Sequence, residues 1–270
     1  MHLETLTITM EGAVAVVEMN RPEKSNALNR IMWRELKEAF RHIDETPGVR
    51  VAVVVGRGKN FSAGIDFEFL LEVQAEVARL PEGRKQERLC RIIEDLQQSI
   101  SAIEQCRKPV LAAIHGACIG GGIDLITACD MRYADTEARF SVREVDLAIV
   151  PDTGTLQRLP ALTGEGIARE LVLTGRTFGA KEACDIGLVN RLFPTGAALR
   201  SEVMAIATAI AAKSPLTVRG IKAAMNHSRD HTVAEGLRFT ASQNAYLLLS
   251  EDLGEAVTAQ LEKRAPVFQD

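Results

Sequence analysis

The chain has 270 residues, enough to bury a full α/β core as one large domain or as one domain with a substantial extension. Its 46% hydrophobic and 25% charged residues exclude both disorder and a fibrous repeat. A net charge of −4 argues against a broad nucleic-acid footprint, and no apolar run is long enough to cross a bilayer, so small-molecule partners and a cytoplasmic location are expected.

In chain order, Leu6 to Met10 and Val14 to Met19 flank Glu11-Gly12 and predict a β-hairpin, closed by Arg21-Pro22. Asn29 is placed to cap a helix with an apolar face of Met32, Leu36, Phe40 and Ile43, ending near Pro47-Gly48. The continuous apolar run Val51 to Val55 predicts a strand buried on both faces. A loop follows over Gly56 to Gly64, and the charged stretch around Pro81-Glu82-Gly83 predicts a mobile or weakly helical excursion. From Lys85 the spacing of Leu89, Ile92, Ile93, Leu96, Ile100 and Ile103 restores a helix. Pro109 to Ile114 is the next buried strand, Gly120-Gly121-Gly122 opens an apolar helix, and Met131 to Ala134 is a short strand. Beyond Pro194 the segments read as helices broken at Pro215 and at Ser228-Arg229-Asp230-His231, which gives a core over 1–195 and a helical region over 196–270.

Several motifs are ruled out. Gly58-Lys59 lacks the upstream glycine and following Ser or Thr of a phosphate loop, and Ser62 lacks the preceding glycine of a nucleophile elbow. The five histidines have no metal-ligand spacing, so no metal is expected, and His115 is read as structural. Five scattered cysteines without a C-x-x-C pair are read as buried thiols.

The glycine triplet is the informative feature. Free N–H groups in a first helical turn can hold a developing oxyanion, although the triplet alone reads equally as a helix–strand packing contact. Asp124 follows it, and Glu144, Asp146 and Asp152 lie in a short apolar-and-acidic stretch ending at Pro151-Asp152-Thr153-Gly154. Carboxylates on loops and helix starts among apolar neighbours suit proton transfer at carbon.

Asn20-Arg21-Pro22, Asn26-Ala27-Leu28-Asn29, Phe61-Ser62-Ala63-Gly64-Ile65-Asp66, the strand from Lys108 to Gly116 and the triplet together resemble the crotonase (enoyl-CoA hydratase/isomerase) superfamily over nearly the whole chain. The resemblance implies an α/β spiral core of ββα turns with a helical C-terminal trimerisation region, and a homotrimer or dimer of trimers. It implies an acyl-CoA substrate with no separate cofactor, and a thioester oxygen held by the N–H groups of Ile65 and Gly121. Lys24, Ala27, Ala63, Gly64 and Asp66 match the stretch that binds coenzyme A. Hydratases of the family have Glu where this chain has Asp124, and glycine where it has Asp152. The set Asp124, Glu144 and Asp152, with Gly154 to Pro160 and Ser228 to His231, is most similar to the Δ3,5-Δ2,4-dienoyl-CoA isomerase branch. That similarity implies a base at C2 and an acid at C6 drawn from Asp152 and Glu144, with Asp124 orienting them. The rivals are a hydratase or Δ3-Δ2 isomerase using Asp124 and Glu144, and a non-catalytic RNA-binding or scaffold member, which the acidic charge disfavours.

Overall fold

The computed structural model describes residues 2–270. The hairpin forms as β1 (Leu6–Glu11) and β2 (Val14–Met19), antiparallel in register Leu6 to Met19. Helix α1 (Arg30–Glu45) is capped by Asn29, whose side-chain oxygen accepts from the Met32 N–H at 2.9 Å. Strands β3 (Val51–Gly56), β4 (Val110–Ile114), β6 (Met131–Asp135) and β9 (Arg191–Phe193) continue the sheet in parallel, giving the order β1-β2-β3-β4-β6-β9. The strands alternate between two cores. Ala15, Val17, Ala52, Val54, Ala112 and Ile114 face the main core, whereas Val14, Val16, Val51, Val53, Val55 and Leu111 face the other side. Both faces are covered, so these strands read as unbroken apolar runs.

A smaller sheet of β5 (Ala117–Ile119), β7 (Arg139–Ser141) and β8 (Phe178–Gly179) forms the second layer. After β4 the chain turns at Gly116 into β5, and α4 (Gly121–Ala128) then carries it back to β6. A parallel bridge between Ser62 and Cys118 extends the same layer to the segment after β3. Strand, strand and helix therefore recur as successive coils, the spiral that the resemblance implies. Gly116 makes the corner possible: its φ is +59°, and a β-carbon there would stand 2.2 Å from the Lys59 carbonyl oxygen.

Between β3 and β4 the chain forms α2 (Phe67–Ala78) and α3 (Glu82–Gln105). This corrects the expected excursion: Pro81 stands immediately before α3 and leaves only a short break, and the charged residues form ion pairs such as Arg88 with Glu76 and Arg30 with Glu76. The cysteine reading also needs amendment, since Cys106, Cys118 and Cys129 are buried but Cys90 is exposed on α3. His115 does serve the fold, with Nε2 at 2.9 Å from the Gly58 carbonyl oxygen.

Helices α5 (Thr155–Thr163), α6 (Glu165–Thr174) and α7 (Ala180–Asp185) lead from the small sheet to β9. Then α8 (Gly196–Ala211) packs Leu199, Val203, Ala207 and Ala211 onto the outer face of the large sheet. The remaining helices are α9 (Pro215–Arg229), α10 (Val233–Leu247) and α11 (Glu251–Glu262). They leave Met225, Leu237, Tyr246, Leu249 and Leu261 exposed. Pro215 is the first residue of α9 rather than a plain break, because a first-turn proline gives up no helical hydrogen bond.

Candidate active site

Three elements bring the acids together. Asp124 projects from the first turn of α4, Glu144 opens a short 3-10 helix (Glu144–Leu147) just past β7, and Asp152 lies in the turn before α5. Asp124 is 2% exposed, and its Oδ1 accepts from the Thr155 N–H at 2.8 Å and the Thr155 hydroxyl at 2.7 Å. The start of α5 thereby holds the acid of α4, a link between residues 31 apart that Thr155 alone does not advertise in sequence. Burial raises the Asp124 carboxyl above its usual value, against the lowering effect of hydrogen bonds from Thr153 and Thr155.

Burial pushes Glu144 up to about 7, and the charges of Asp124 and then Asp152 add to the rise. Its Oε2 is buried with no hydrogen-bond partner among the described residues. Asp152 is also raised, first by burial and then by Asp124. Neighbouring carboxyls whose proton affinities are raised by burial and by one another's charge are suited to exchanging a proton with carbon.

An acid raised in the folded chain binds its proton more tightly there than in the unfolded chain. Glu144 therefore contributes stability that is complete below 4.5 and is lost as pH rises through about 7. Glu144→Gln is expected to flatten the fall of Tm across that window and to be the more stable protein at its upper end. Thermal scans at matched pH check this, and parallel Tm–pH curves for the two proteins would refute it.

The glycines have separate jobs. A β-carbon at Gly120, where φ is +50°, would stand 3.2 Å from Glu144 Oε1, so the glycine admits the carboxylate against the helix start. Gly122 packs against Ser62 and Cys118, which is the helix–strand contact the triplet suggested. Gly121 meets Leu28 and Trp33. A β-carbon on Gly64, where φ is +87°, would stand 2.8 Å from the Ile119 carbonyl oxygen and 3.4 Å from the Gly121 nitrogen. The loop carrying Ile65 thus comes directly against the start of α4. Neither the Ile65 nor the Gly121 N–H has an acceptor among the described residues.

The segments matching a coenzyme A stretch also meet. The Leu28 N–H donates to the Gly64 carbonyl at 2.7 Å, and the Ala63 N–H to the Ser25 carbonyl at 2.9 Å. Asn26, fully buried at φ +54°, ties the two loops by donating to the Arg57 and Asn60 carbonyls. Lys24 is exposed and paired with Glu68 at 3.0 Å. Ala63 is exposed and Ala27 half-buried. The Asp66 side chain is committed to the fold, capping α2 through the Glu68 N–H and accepting from Arg21 at 2.9 Å.

The enoyl-CoA hydratase/isomerase family model matches residues 9–270. The chain belongs to this family. Among its members, the Δ3,5-Δ2,4-dienoyl-CoA isomerase of Arabidopsis thaliana, named as peroxisomal, is 47% identical over 98% of this chain and 96% of its own length. That of Rattus norvegicus, named as mitochondrial, is 44% identical over 97% of this chain and 81% of its own. The crystal structure of an enoyl-CoA hydratase from Bacillus anthracis superposes with a TM-score of 0.88 at 30% identity, covering 98% and 99% of the two chains. No helix among the described residues of this family member is long and apolar enough to cross a membrane.

Proposed function

We propose that the protein is a dienoyl-CoA isomerase, converting a 3,5-dienoyl-CoA to its 2,4 isomer as a step of fatty acid β-oxidation. The observation carrying this reading is the convergence of three raised carboxyls, Asp124, Glu144 and Asp152, beside two N–H groups without acceptors. Moving two conjugated double bonds along a chain requires loss of a proton at C2 and its gain at C6. Asp152 takes the C2 proton, the electron pair spreads through the diene onto the thioester oxygen, and the N–H groups of Ile65 and Gly121 hold that oxygen as an oxyanion hole. Glu144, whose affinity lies near neutrality, delivers the proton to C6 and leaves the 2,4-diene conjugated with the carbonyl. Asp124 keeps the two acids in position from its Thr155 anchor.

Coenzyme A lies along Lys24, Ala27 and Ala63 to Asp66 in this proposal and is part of the substrate, so no separate cofactor or metal takes part. The exposed apolar residues of α9 to α11 support assembly as a trimer or dimer of trimers through the 196–270 region, with α8 committed to the core. A cytoplasmic location remains part of the proposal.

Purified protein mixed with 3,5-octadienoyl-CoA is expected to produce the longer-wavelength absorbance of a diene conjugated with a thioester. Absence of that signal together with turnover of a 2-enoyl-CoA would move the assignment to hydration.

A further inference from the structure

Apart from Thr155, two sequence stretches remain without a task in the reaction above: Gly154 to Pro160, and Ser228-Arg229-Asp230-His231. They meet at one residue, Glu104 near the C-terminal end of α3. Arg158, one turn into α5, donates to Glu104 Oε2 through Nε at 3.2 Å and Nη2 at 2.8 Å. Arg229, at the end of α9, donates to the other oxygen of the same carboxylate. The Arg158 side chain is 12% exposed and that of Glu104 23%, so this is a partly buried network rather than a loose surface pair. Its two arginine partners lower the Glu104 carboxyl despite its burial.

Arg158 also lies over the turn that carries Asp152. Its Nη1 approaches the Thr153 carbonyl at 3.5 Å, and a β-carbon at Gly154 would overlap the guanidinium. Gly154 has φ of +124°, a backbone conformation that favours glycine, and a side chain there would have to push the guanidinium aside. From α3, the Gln97 amide donates to the Asp152 carbonyl at 2.7 Å. The turn is thus held from outside at Asp152 and Thr153, and two residues later Thr155 anchors Asp124. Along the outer side runs a polar cavity of about 590 Å³ faced by Glu104, Asp152, Arg158, Arg229 and Asp230.

We propose that Arg158, clamped by Glu104, is a positioning residue for the acid pair: it sets the turn from Asp152 to Thr155 and thereby the distance between Asp152 and Asp124. This rests on the isomerase reading, in which Asp152 is the base. The physical basis is the planar guanidinium, which can grip one carboxylate with two donors while its other edge meets the turn. A lysine supplies the charge without the fork. Misplacement of a reacting group by about 1 Å costs up to roughly 100-fold in rate.

The test compares Arg158→Lys, Arg158→Gln and Glu104→Gln in the full-length enzyme, reading kcat, KM, the pH profile of kcat, and Tm. All three are expected to lose roughly 10- to 100-fold in kcat, with KM for the thioester within about twofold of wild type. The Arg158 charge favours the ionised form of Asp124, whose charge in turn acts on Asp152, so Arg158→Gln should also displace the acidic limb of the profile, while Arg158→Lys leaves it in place. The titratable groups facing that charge include Asp124, Cys129, Asp152, Glu104, Arg229 and Asp230. If Arg158→Gln does not fold, Arg158→Lys and Glu104→Gln carry the kcat and KM comparison. A lowered Tm with kcat and the pH limb unchanged would make the network structural only and overturn the proposal. Failure of the isomerase reading is separately visible, as a wild-type enzyme inactive on the 3,5-diene.

Discussion

Asp152→Asn is expected to lower kcat for the conversion of 3,5- to 2,4-dienoyl-CoA by roughly 10²- to 10⁴-fold, the range associated with one acid–base group. Asparagine preserves the size of the side chain and cannot take up a proton. Because the turn is held through its backbone, by Gln97 on the Asp152 carbonyl and Arg158 at Thr153, the substitution should leave the site's shape intact. KM for the thioester should therefore change little, which marks an interaction used in the transition state rather than in ground-state binding. Asp124 and Glu144 remain in the variant, so it also separates this reaction from hydration. Steady-state assays on a 3,5-diene and on a 2-enoyl thioester check both points. Undiminished isomerisation would remove Asp152 from the mechanism, and a switch to hydration as the main activity would transfer the assignment to the family's hydratases.

Gly64→Ala is expected to cost roughly 10²- to 10³-fold in kcat, comparable to losing one donor of an oxyanion hole. The added methyl would stand 2.8 Å from the Ile119 carbonyl oxygen, a backbone atom that cannot rotate aside as a side chain can. The φ of +87° also penalises any residue with a β-carbon. Relief requires the Gly64-Ile65 peptide to retreat from the start of α4, which moves the Ile65 N–H away from that of Gly121. Some loss of stability accompanies this. The two effects separate by measuring kcat well below the variant's own Tm: near-normal turnover there would mean that these N–H groups do not hold the thioester oxygen.

The sequence by itself determined the parts governed by local periodicity and by residue chemistry. Val51 to Val55 and Pro109 to Ile114 had to be doubly buried strands, because five- and six-residue apolar runs next to helices leave no polar face for solvent. Asn29 at the start of α1 is legible for a similarly local reason. Asp124, Glu144 and Asp152 were recognisable as a set because their residue types and spacing resemble one branch of a family.

The stretch from Phe67 to Gln86 was harder to read, since α2 and α3 are stabilised there by ion pairs between helices, such as Arg30 with Glu76, that leave no periodic trace. The short strands β5, β7 and β8 escaped for a related reason: two or three residues are too few to display a period, and they become strands only by pairing with other coils. The anchoring of Asp124 by Thr155, the approach of Gly64 to the Gly121 nitrogen, and the meeting of Arg158 and Arg229 at Glu104 depended on the tertiary structure. These contacts span tens to more than a hundred residues and arise from how successive coils stack, so no local preference encodes them. Burial in that stack also raises the three carboxyls above their usual values, Glu144 to about 7, a shift that depends on the folded surroundings and not on residue type.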